Sequence, residues 1–506
     1  MNRRFTLSPL VILGLVNFLI LGELVSGTGL YFVGMMAIAV LSICLTYNLL
    51  GGLGTIGGIA FTSLALNSIV ISQFAKVAMF EAADLNLRNP DLTITVYAVF
   101  YLSLLAGTFL FGWIRVRLPR PLEPTSSSHS NALYIVSLVV GFIATFALAA
   151  AALAGRKAQE SIGHGFSRAF SYLLLFSLVL AVDQRIRDTE GRHCFGWAAL
   201  WPSLAIAAFG FLGASRQGFV EAPLIVTVTC YLRGYKFRRK HYLAGVAFVA
   251  VLFLIVSPYY LWSRSWRNQE HSVGSELSVM TNLLVSAPSQ WESIRETVLS
   301  EMSQSSENGG EYYSRAGTVT LNRLALIAPD SALIDACSRG FHYGWPVVES
   351  DLLSGFPHFL RRGTTVPIEG AWYRASIAGL QSSDEENVFI SMTGIADSYG
   401  AFGWVSVIFF PLLIIPAVFV VYDSMFDLSR PWGTVAVVTL IFEFIVASMG
   451  AMISSVLIMT PVYLLAISWF IGRIAGVFSL GSGRAPGAQG LFASRQLNVG
   501  RSLLKG

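Results

Sequence analysis

The distribution of apolar residues constrains this chain more than any other feature. A membrane-spanning helix needs about 20 mainly apolar residues, and runs close to that length recur along most of the 506 residues. Only 12% of the residues are charged, against about 25% in soluble domains. The sequence therefore predicts an all-α, polytopic membrane protein. The twelve predicted spans lie at residues 8–26, 30–48, 55–75, 95–114, 132–154, 168–184, 195–214, 218–232, 242–262, 398–422, 432–450 and 452–472.

The basic residues between these runs predict an orientation. If the first run starts in the cytoplasm, the cytoplasmic segments hold nineteen Lys and Arg residues and the short external segments hold six. Cytoplasmic loops carry such an excess in membrane proteins. We therefore expect both termini in the cytoplasm and the long polar interval 263–397 outside. The first apolar run is predicted to be an anchor and not a cleaved signal peptide, because it lacks a small-residue cleavage site.

This pattern divides the chain into four parts. Residues 1–262 are predicted to form a bundle of nine spans, and residues 263–397 a large, partly helical external loop. Residues 398–473 supply three further spans, and residues 474–506 a cytoplasmic tail whose Gly, Ser and Arg content is typical of disorder. Helical periodicity at 274–302 and 311–340 predicts a loop that lies over the mouth of the bundle as helices and turns.

The charge pattern of the long loop is unusual. Residues 263–395 hold nine arginines and no lysine, together with fifteen Asp and Glu residues. Both cations would charge a surface equally well, but only arginine offers a planar fork for phosphate or carboxylate. The alternative is a set of salt bridges with the local carboxylates, or, for Arg216, an arginine snorkelling at an interface. The candidate anion-binding residues are Arg216, Arg315, Arg323, Arg361, Arg362 and Arg374.

Three residues are candidates for a general base. His358, Glu386 and Asp397 lie in or next to the long loop, and imidazole or carboxylate groups can accept a proton from a sugar hydroxyl. The alternative is that His358 and the acidic run at 384–387 are ordinary polar loop residues. Neither the cysteines nor the histidines show metal-ligand spacing, so no metal site is predicted. Nucleic-acid binding is not expected, because the basic residues sit in short loops.

Several short segments carry a resemblance to a known family. They are Ser72–Pro90, Gly213–Gly218 (Gly-Ala-Ser-Arg-Gln-Gly), Arg315–Pro329, and Asn387 followed by Asp397, Gly400 and Gly403. Together with the span layout, they resemble bacterial oligosaccharide repeat-unit polymerases of the Wzy type, and more loosely the O-antigen ligases. Two patterns of these families are missing from the sequence. The long loop lacks the Arg-x10-Gly spacing of some polymerases, and residues 382–387 lack the histidine-rich stretch of the ligases.

The resemblance implies a membrane glycosyltransferase with a GT-C-like architecture at the periplasmic face of the bacterial inner membrane. Donor and acceptor would both be undecaprenyl-pyrophosphate-linked oligosaccharides, and the product an O-antigen, capsule or exopolysaccharide. The implied reaction needs no cofactor, is metal-independent and inverts the anomeric centre. Arginines would stabilise the departing pyrophosphate, while His358, Glu386 or Asp397 would take the acceptor proton. A chain-length regulator protein is a candidate partner, beside membrane lipid.

Three other functions are compatible with the sequence. A flippase or exporter of lipid-linked glycan would also have about twelve spans, but repeat symmetry and charges near the midplane are typical of transporters. Here the spans are poor in charge. An O-antigen ligase and a structural subunit of a polysaccharide-assembly complex are the remaining alternatives. Glycan extension by the purified protein would separate the polymerase from all three.

Overall fold

The fold was analysed in a computed structural model. It describes residues 6–114, 116–122, 127–153, 162–212, 216–256, isolated positions between 278 and 296, 326–356, 370–379 and 392–481. Within these residues the chain forms helices and connecting turns, without a β-strand. The all-helical class predicted from the apolar runs is therefore confirmed for the described part of the chain.

In the described part of the chain, nine helices precede the long loop. They are α1 (Pro9–Val25), α2 (Leu30–Leu49), α3 (Ile56–Met79, with a π-helical turn at Leu66–Val70), α4 (Pro90–Phe111), α5 (Ser127–Leu153), α6 (Ile162–Asp188), α7 (Trp197–Leu212), α8 (Arg216–Leu232) and α9 (Arg239–Val251, continued by the π-helical turn Leu252–Val256). Local signals set several of the starts. The Asn89 side chain accepts from the Leu92 N–H, and Pro90 takes the first helical position, where its missing N–H costs no hydrogen bond.

From residue 326 onward, the described ranges contain seven more helices. They are α10 (Ile327–Ser338), α11 (Gly344–Gly355), α12 (Gly370–Ile377), α13 (Gly394–Phe402), α14 (Trp404–Met425, with a π-helical turn at Phe410–Ile414), α15 (Pro431–Val446) and α16 (Met449–Ala451, continued through the π-helical segment Met452–Met459 into Thr460–Gly481). Helices α10–α12 belong to the predicted external loop, and α13 leads back into the apolar part of the chain. The periodicity predicted a helix over 311–340; the described part of it is α10.

Among the described residues, seven helices are long and apolar enough to cross a membrane: α2, α3, α4, α5, α6, α14 and α16. Four apolar helices of the same described ranges, α1, α7, α8 and α15, are shorter, at 10–17 residues. The chain is therefore a polytopic membrane protein by the length and composition of its helices. Each of the twelve predicted spans coincides with a described helix at least in part, although the span predicted at 242–262 runs past the end of the described residues at 256.

The helices pack as two groups that share α15 and α16. In the first group, α2 packs against α1 and α4, and α14 packs against α3 and α4. In the second group, α6 lies among α5, α7 and α8. Helix α15 contacts both α3 and α6, and α16 contacts α5, α6 and α14. This arrangement makes α6 the most enclosed of the seven long helices, because 78% of an 18-residue apolar segment within it is buried.

One end of the bundle, the loop end, carries α10–α13. There the Arg88 guanidinium, in the turn before α4, donates to the Ala378 carbonyl at 2.7 Å. The Met449 N–H, at the start of α16, donates to the Asp397 carboxylate of α13 at 2.6 Å. The start of α4, the end of α12 and the junction of α15 with α16 therefore meet at the same end, as an alternating path through the bundle requires.

The opposite end has its own polar contacts. The Asp423 carboxylate, near the end of α14, accepts from the Ile56 N–H at 2.8 Å. The Arg233 guanidinium, after α8, pairs with Asp183 of α6 and donates to the Leu428 carbonyl at 3.0 Å. If successive helices cross the bundle in alternate directions, the connections that these contacts join lie at the same end. The described connections therefore lie at two opposite ends of the bundle.

Candidate functional site

The candidate site lies at the loop end, where α10, α11 and α12 cover the start of α13 and α16. Helix α11 packs on the first part of α16 and on α13, and α10 packs on α4 and α13. Helix α12 bridges α10 and α11. The residues that these helices bury include ionisable side chains, which are rarely buried unless they are paired.

Arg374 of α12 lies at the centre of this region. Its Nη1 donates to the Asp351 Oδ2 of α11 at 2.7 Å, and lies 3.0 Å from the Asp397 Oδ1 of α13. The three residues are 8%, 9% and 3% exposed, so one cation and two carboxylates share a closed space. Burial lowers the pKa of Arg374, but the carboxylates outweigh it and raise this pKa above its ordinary value.

Two further donors hold the Asp397 carboxylate. The Tyr343 hydroxyl donates to the Asp397 Oδ1, and the Met449 N–H donates to the Oδ2. Burial and the neighbouring carboxylate raise the pKa of Tyr343 well above its usual range, so this hydroxyl remains a donor. We name Arg374, Asp351, Asp397 and Tyr343 the Arg374 cluster.

A glycine allows the tyrosine to reach this position. The Tyr343 N–H donates to the Gly400 carbonyl at 3.1 Å, and the Tyr343 ring lies against Gly400 where any larger residue would place its Cβ. Gly400 is therefore needed because the aromatic ring approaches the backbone of α13 closely. The arrangement explains how Tyr343 can be buried and hydrogen-bonded inside the protein.

A third buried carboxylate, Asp330, lies outside this cluster. Asp330 of α10 is fully buried, and accepts from the Tyr97 hydroxyl of α4 at 2.5 Å and from the Thr393 N–H at 2.9 Å. The Thr393 hydroxyl donates to it as well, at 2.5 Å. Burial is the largest influence and raises the pKa of Asp330 to about 7, although these hydrogen bonds oppose the shift.

This raised pKa predicts a pH-dependent stability. The folded protein holds the Asp330 proton more tightly than the unfolded chain does, so the stabilising effect is complete below about pH 4 and is lost as the pH rises to about 7. Asp330→Asn should remove this loss, which has a slope of at most about 1.4 kcal/mol per pH unit for one proton. Thermal unfolding in detergent between pH 4.5 and 8 measures the difference between the two proteins.

A variant on the same helix provides the control. Asp335 of α10 pairs with the exposed Arg339 at 3.0 Å, and Asp335→Asn should retain the pH dependence of the wild type. If wild type and Asp330→Asn lose stability in parallel over the whole range, Asp330 does not carry a proton in the folded state and this interpretation fails.

The structure brings together two of the nine predicted site residues, Arg374 and Asp397. In this arrangement the Arg374 Nη1 contacts two carboxylates, and the guanidinium is buried, so that the covering helices must move before a phosphate can reach it. The Asp397 oxygens accept from two donors and form an ion pair with Arg374, which leaves little room for a sugar hydroxyl. The predicted roles, pyrophosphate ligand and base, therefore remain predictions that require the cluster to open.

The side chains of the other seven predicted site residues lie outside the described part of the structure. Arg216 begins α8 at the loop end of the bundle, but its side chain is outside the described part of the structure. The remaining six, His358, Glu386, Arg315, Arg323, Arg361 and Arg362, also lie outside the described residues. Within the described ranges, no group of three or more His, Cys, Asp or Glu side chains is arranged to hold a metal ion.

Sequence reasoning missed Asp330 and Asp351. Asp330 is the single carboxylate of a mainly apolar stretch, Leu326–Ile334, and Asp351 lies with Glu349 between the apolar pairs Val347–Val348 and Leu352–Leu353. An acidic residue in such a stretch is a signal of a buried, paired group. The signal was masked by the fifteen acidic residues of the loop, most of which looked like ordinary surface charge.

Comparisons with known proteins assign the chain to no family. No protein-family model matches the chain, and neither the curated proteins nor the solved structures contain a match. The class that the structure defines is thus a polytopic helical membrane protein with a buried ionic cluster at one end. The resemblance to repeat-unit polymerases rests on the sequence motifs.

Proposed function

We propose that this protein polymerises polyprenyl-pyrophosphate-linked oligosaccharide repeat units. The observation that carries the proposal is the convergence of Arg374 and Asp397, 23 residues apart in sequence, where α11, α12 and α13 meet at the loop end of the bundle. A cationic fork next to carboxylates suits the transfer, because charge develops on the pyrophosphate while a hydroxyl loses a proton. Binding of the glycan to parts of the protein away from the Arg374 cluster would open the cluster and expose Arg374 and Asp397.

The finer topology is part of the same proposal. Twelve spans, a GT-C-like architecture, cytoplasmic termini and a periplasmic loop in the bacterial inner membrane would place the Arg374 cluster where lipid-linked glycans are joined. The segregation of the described connections to two ends supports an alternating path. The excess of Lys and Arg in the segments at the end opposite α10–α13 supports the orientation.

The experiment is glycan extension in proteoliposomes. The purified protein receives one polyprenyl-pyrophosphate-linked repeat unit as its sole substrate, and products are separated by gel electrophoresis. We expect a ladder of glycans that grow by whole repeat units without added metal. Lysine replacements at Arg315, Arg323, Arg361 and Arg362 should each be tested, because lysine keeps the charge and loses the fork. At least one should reduce extension by about tenfold or more.

Arg339 supplies the matched control. It is an arginine of the same loop, its side chain is 60% exposed, and its partner Asp335 lies four residues earlier on α10. Arg339→Lys should extend glycans like the wild type. A folded protein that never extends an authentic substrate would rule out the polymerase. Full extension by all four lysine variants would rule out phosphate recognition by those arginines and leave the polymerase standing.

A further inference from the structure

We infer that Cys194 and Cys230 form a redox-sensitive pair, in which a peroxide oxidises Cys194 and Cys230 then closes a reversible disulfide bond. The pair lies at the end of the bundle opposite the loop end, because Cys230 stands three residues before Arg233. All four cysteines of the chain carry free thiols. This modification site is independent of the proposed polymerase activity.

The fold brings the two thiols into contact. Cys194 lies in the connection between α6 and α7, and Cys230 lies in the last turn of α8. Helix α8 packs on both α6 and α7, and the two thiols form a hydrogen bond. They are 36 residues apart in sequence, so tertiary packing pairs them. A disulfide bond between them therefore requires an adjustment of the side chains and not a new arrangement of helices.

The two cysteines differ in their access to solvent. Cys230 is fully buried, whereas Cys194 is partly exposed. Residues 188–193, just before Cys194, read Asp-Thr-Glu-Gly-Arg-His, and a segment with this many charges is stable in water and not in lipid. A water-soluble oxidant therefore reaches Cys194 first, and Cys230 lies behind it in the position of a resolving thiol.

A chain of hydrogen bonds leads to the Cys194 sulfur. The Arg238 N–H donates to the His241 Nδ1 at 3.0 Å, so the proton of the neutral imidazole is on Nε2. This nitrogen lies 3.4 Å from the Tyr235 hydroxyl oxygen, which can accept from it. The Tyr235 hydroxyl is then oriented to donate its own proton to the Cys194 sulfur.

Two donors thus stabilise a negative charge on the Cys194 sulfur. The hydrogen bond from Cys230 has the largest effect and, together with the one from Tyr235, lowers the pKa of the Cys194 thiol below its usual range, although burial opposes the shift. The charge is on Cys194 and not on Cys230 because Cys194 is the less buried of the two. A thiolate is the form of cysteine that attacks peroxides.

The reaction balances with hydrogen peroxide as the oxidant. The Cys194 thiolate attacks one peroxide oxygen, the O–O bond breaks, hydroxide leaves, and Cys194 becomes a sulfenic acid. The Cys230 sulfur then attacks the Cys194 sulfur, the S–O bond breaks, and water leaves with the Cys230 proton. The two thiols together lose two electrons, and the peroxide becomes two molecules of water once the hydroxide takes up the proton that Cys194 had released.

The disulfide bond would fasten the α6–α7 connection to the end of α8. Arg233, just after α8, already pairs with Asp183 of α6 and donates to the Leu428 carbonyl, so the cross-link would add to an existing junction of helices. The predicted orientation places this end in the cytoplasm, where thiols are kept reduced. The cross-link would therefore form under oxidative conditions and be removed by reduction.

The test is oxidation of the purified wild-type protein by hydrogen peroxide in detergent at about pH 7, followed by alkylation in denaturant and mass spectrometry of the peptides. We expect a disulfide between Cys194 and Cys230 that dithiothreitol reverses. Cys44 and Cys337, which are both buried, should remain free for alkylation. Because this measurement uses the wild type, it does not depend on the folding of a variant.

The Cys230→Ser variant separates the two steps. Without the resolving thiol, Cys194 should stay a sulfenic acid that dimedone labels. In the wild type, oxidation of Cys194 to a sulfinic acid while Cys230 remains free for alkylation would overturn the pair, as would a disulfide bond to Cys44 or Cys337.

A second measurement concerns the activation of Cys194. Iodoacetamide should alkylate Cys194 in the folded protein, and Tyr235→Phe should slow this reaction by about three- to tenfold at about pH 7, because the thiolate loses a donor. Tyr242→Phe is the matched control, since Tyr242 follows His241 and is 64% exposed; it should react like the wild type. Equal rates for the wild type and Tyr235→Phe would overturn the role of Tyr235.

Discussion

Replacing Arg374 by alanine should lower the free energy of unfolding by about 3 to 5 kcal/mol. The substitution leaves the Asp351 and Asp397 carboxylates buried without their shared cation, and breaking a buried ion pair on one side costs about this much. The loss is measured by thermal or chemical unfolding of the purified protein in detergent. Arg374→Lys should recover part of the loss, because a lysine ammonium keeps the charge but not the planar fork.

The comparison variant is Arg339→Ala. Its ion pair with Asp335 has a similar distance, 3.0 Å, but the arginine side chain is 60% exposed, so the loss should be about 0 to 1 kcal/mol. The contrast between the two alanine variants isolates burial as the cause. If both variants unfold at the same temperature as the wild type, the Arg374 cluster does not form in the folded protein.

The second large effect is expected at Gly141. This residue of α5 faces the backbone of α6, and a Cβ built on it would lie 2.8 Å from the backbone carbonyl carbon of Leu173 and from the Leu174 Cα. Small residues allow helices in membranes to approach this closely. Gly141→Ala forces the two backbones apart and should cost about 1 to 3 kcal/mol, with a corresponding fall in the unfolding temperature.

Gly34→Ala is the matched control for Gly141. Gly34 is also inside a long apolar helix, α2, but a Cβ at this position would meet nothing within 4 Å. Alanine should therefore stabilise the helix by about 0.5 to 1 kcal/mol through its higher helix propensity. Opposite signs at the two positions support the close α5–α6 contact; destabilisation of equal size at both would contradict it.

The sequence predicted the positions of the helices better than their local backbone geometry. Apolar runs located every long helix, because a run of about 20 apolar residues can satisfy its backbone in lipid only as a helix. The π-helical turns, as in α3 at Leu66–Val70, were not predicted. They depend on a local change of hydrogen-bond register, which hydrophobic periodicity does not contain.

The site was predicted in part for a similar reason. Composition drew attention to the arginines of the loop, and motif resemblance to Asp397, but neither could pair Arg374 with a particular carboxylate. That pairing depends on how α11, α12 and α13 meet, which is a property of tertiary packing. Asp351 and Asp330 became recognisable only when their burial was known.

The Arg374 cluster also couples the motions of separate segments. Its three charged residues belong to α11, α12 and α13, and the Met449 N–H adds the start of α16. If α12 withdraws, two buried carboxylates lose their shared cation, whereas if α11 or α13 withdraws, Arg374 keeps a single carboxylate partner. An incoming anion changes this situation, because it can replace one carboxylate at the guanidinium with the charge balance preserved. Counter-ion exchange would then be the event that lets α11, α12 and α13 part, and the arrival of an anion would determine when they do.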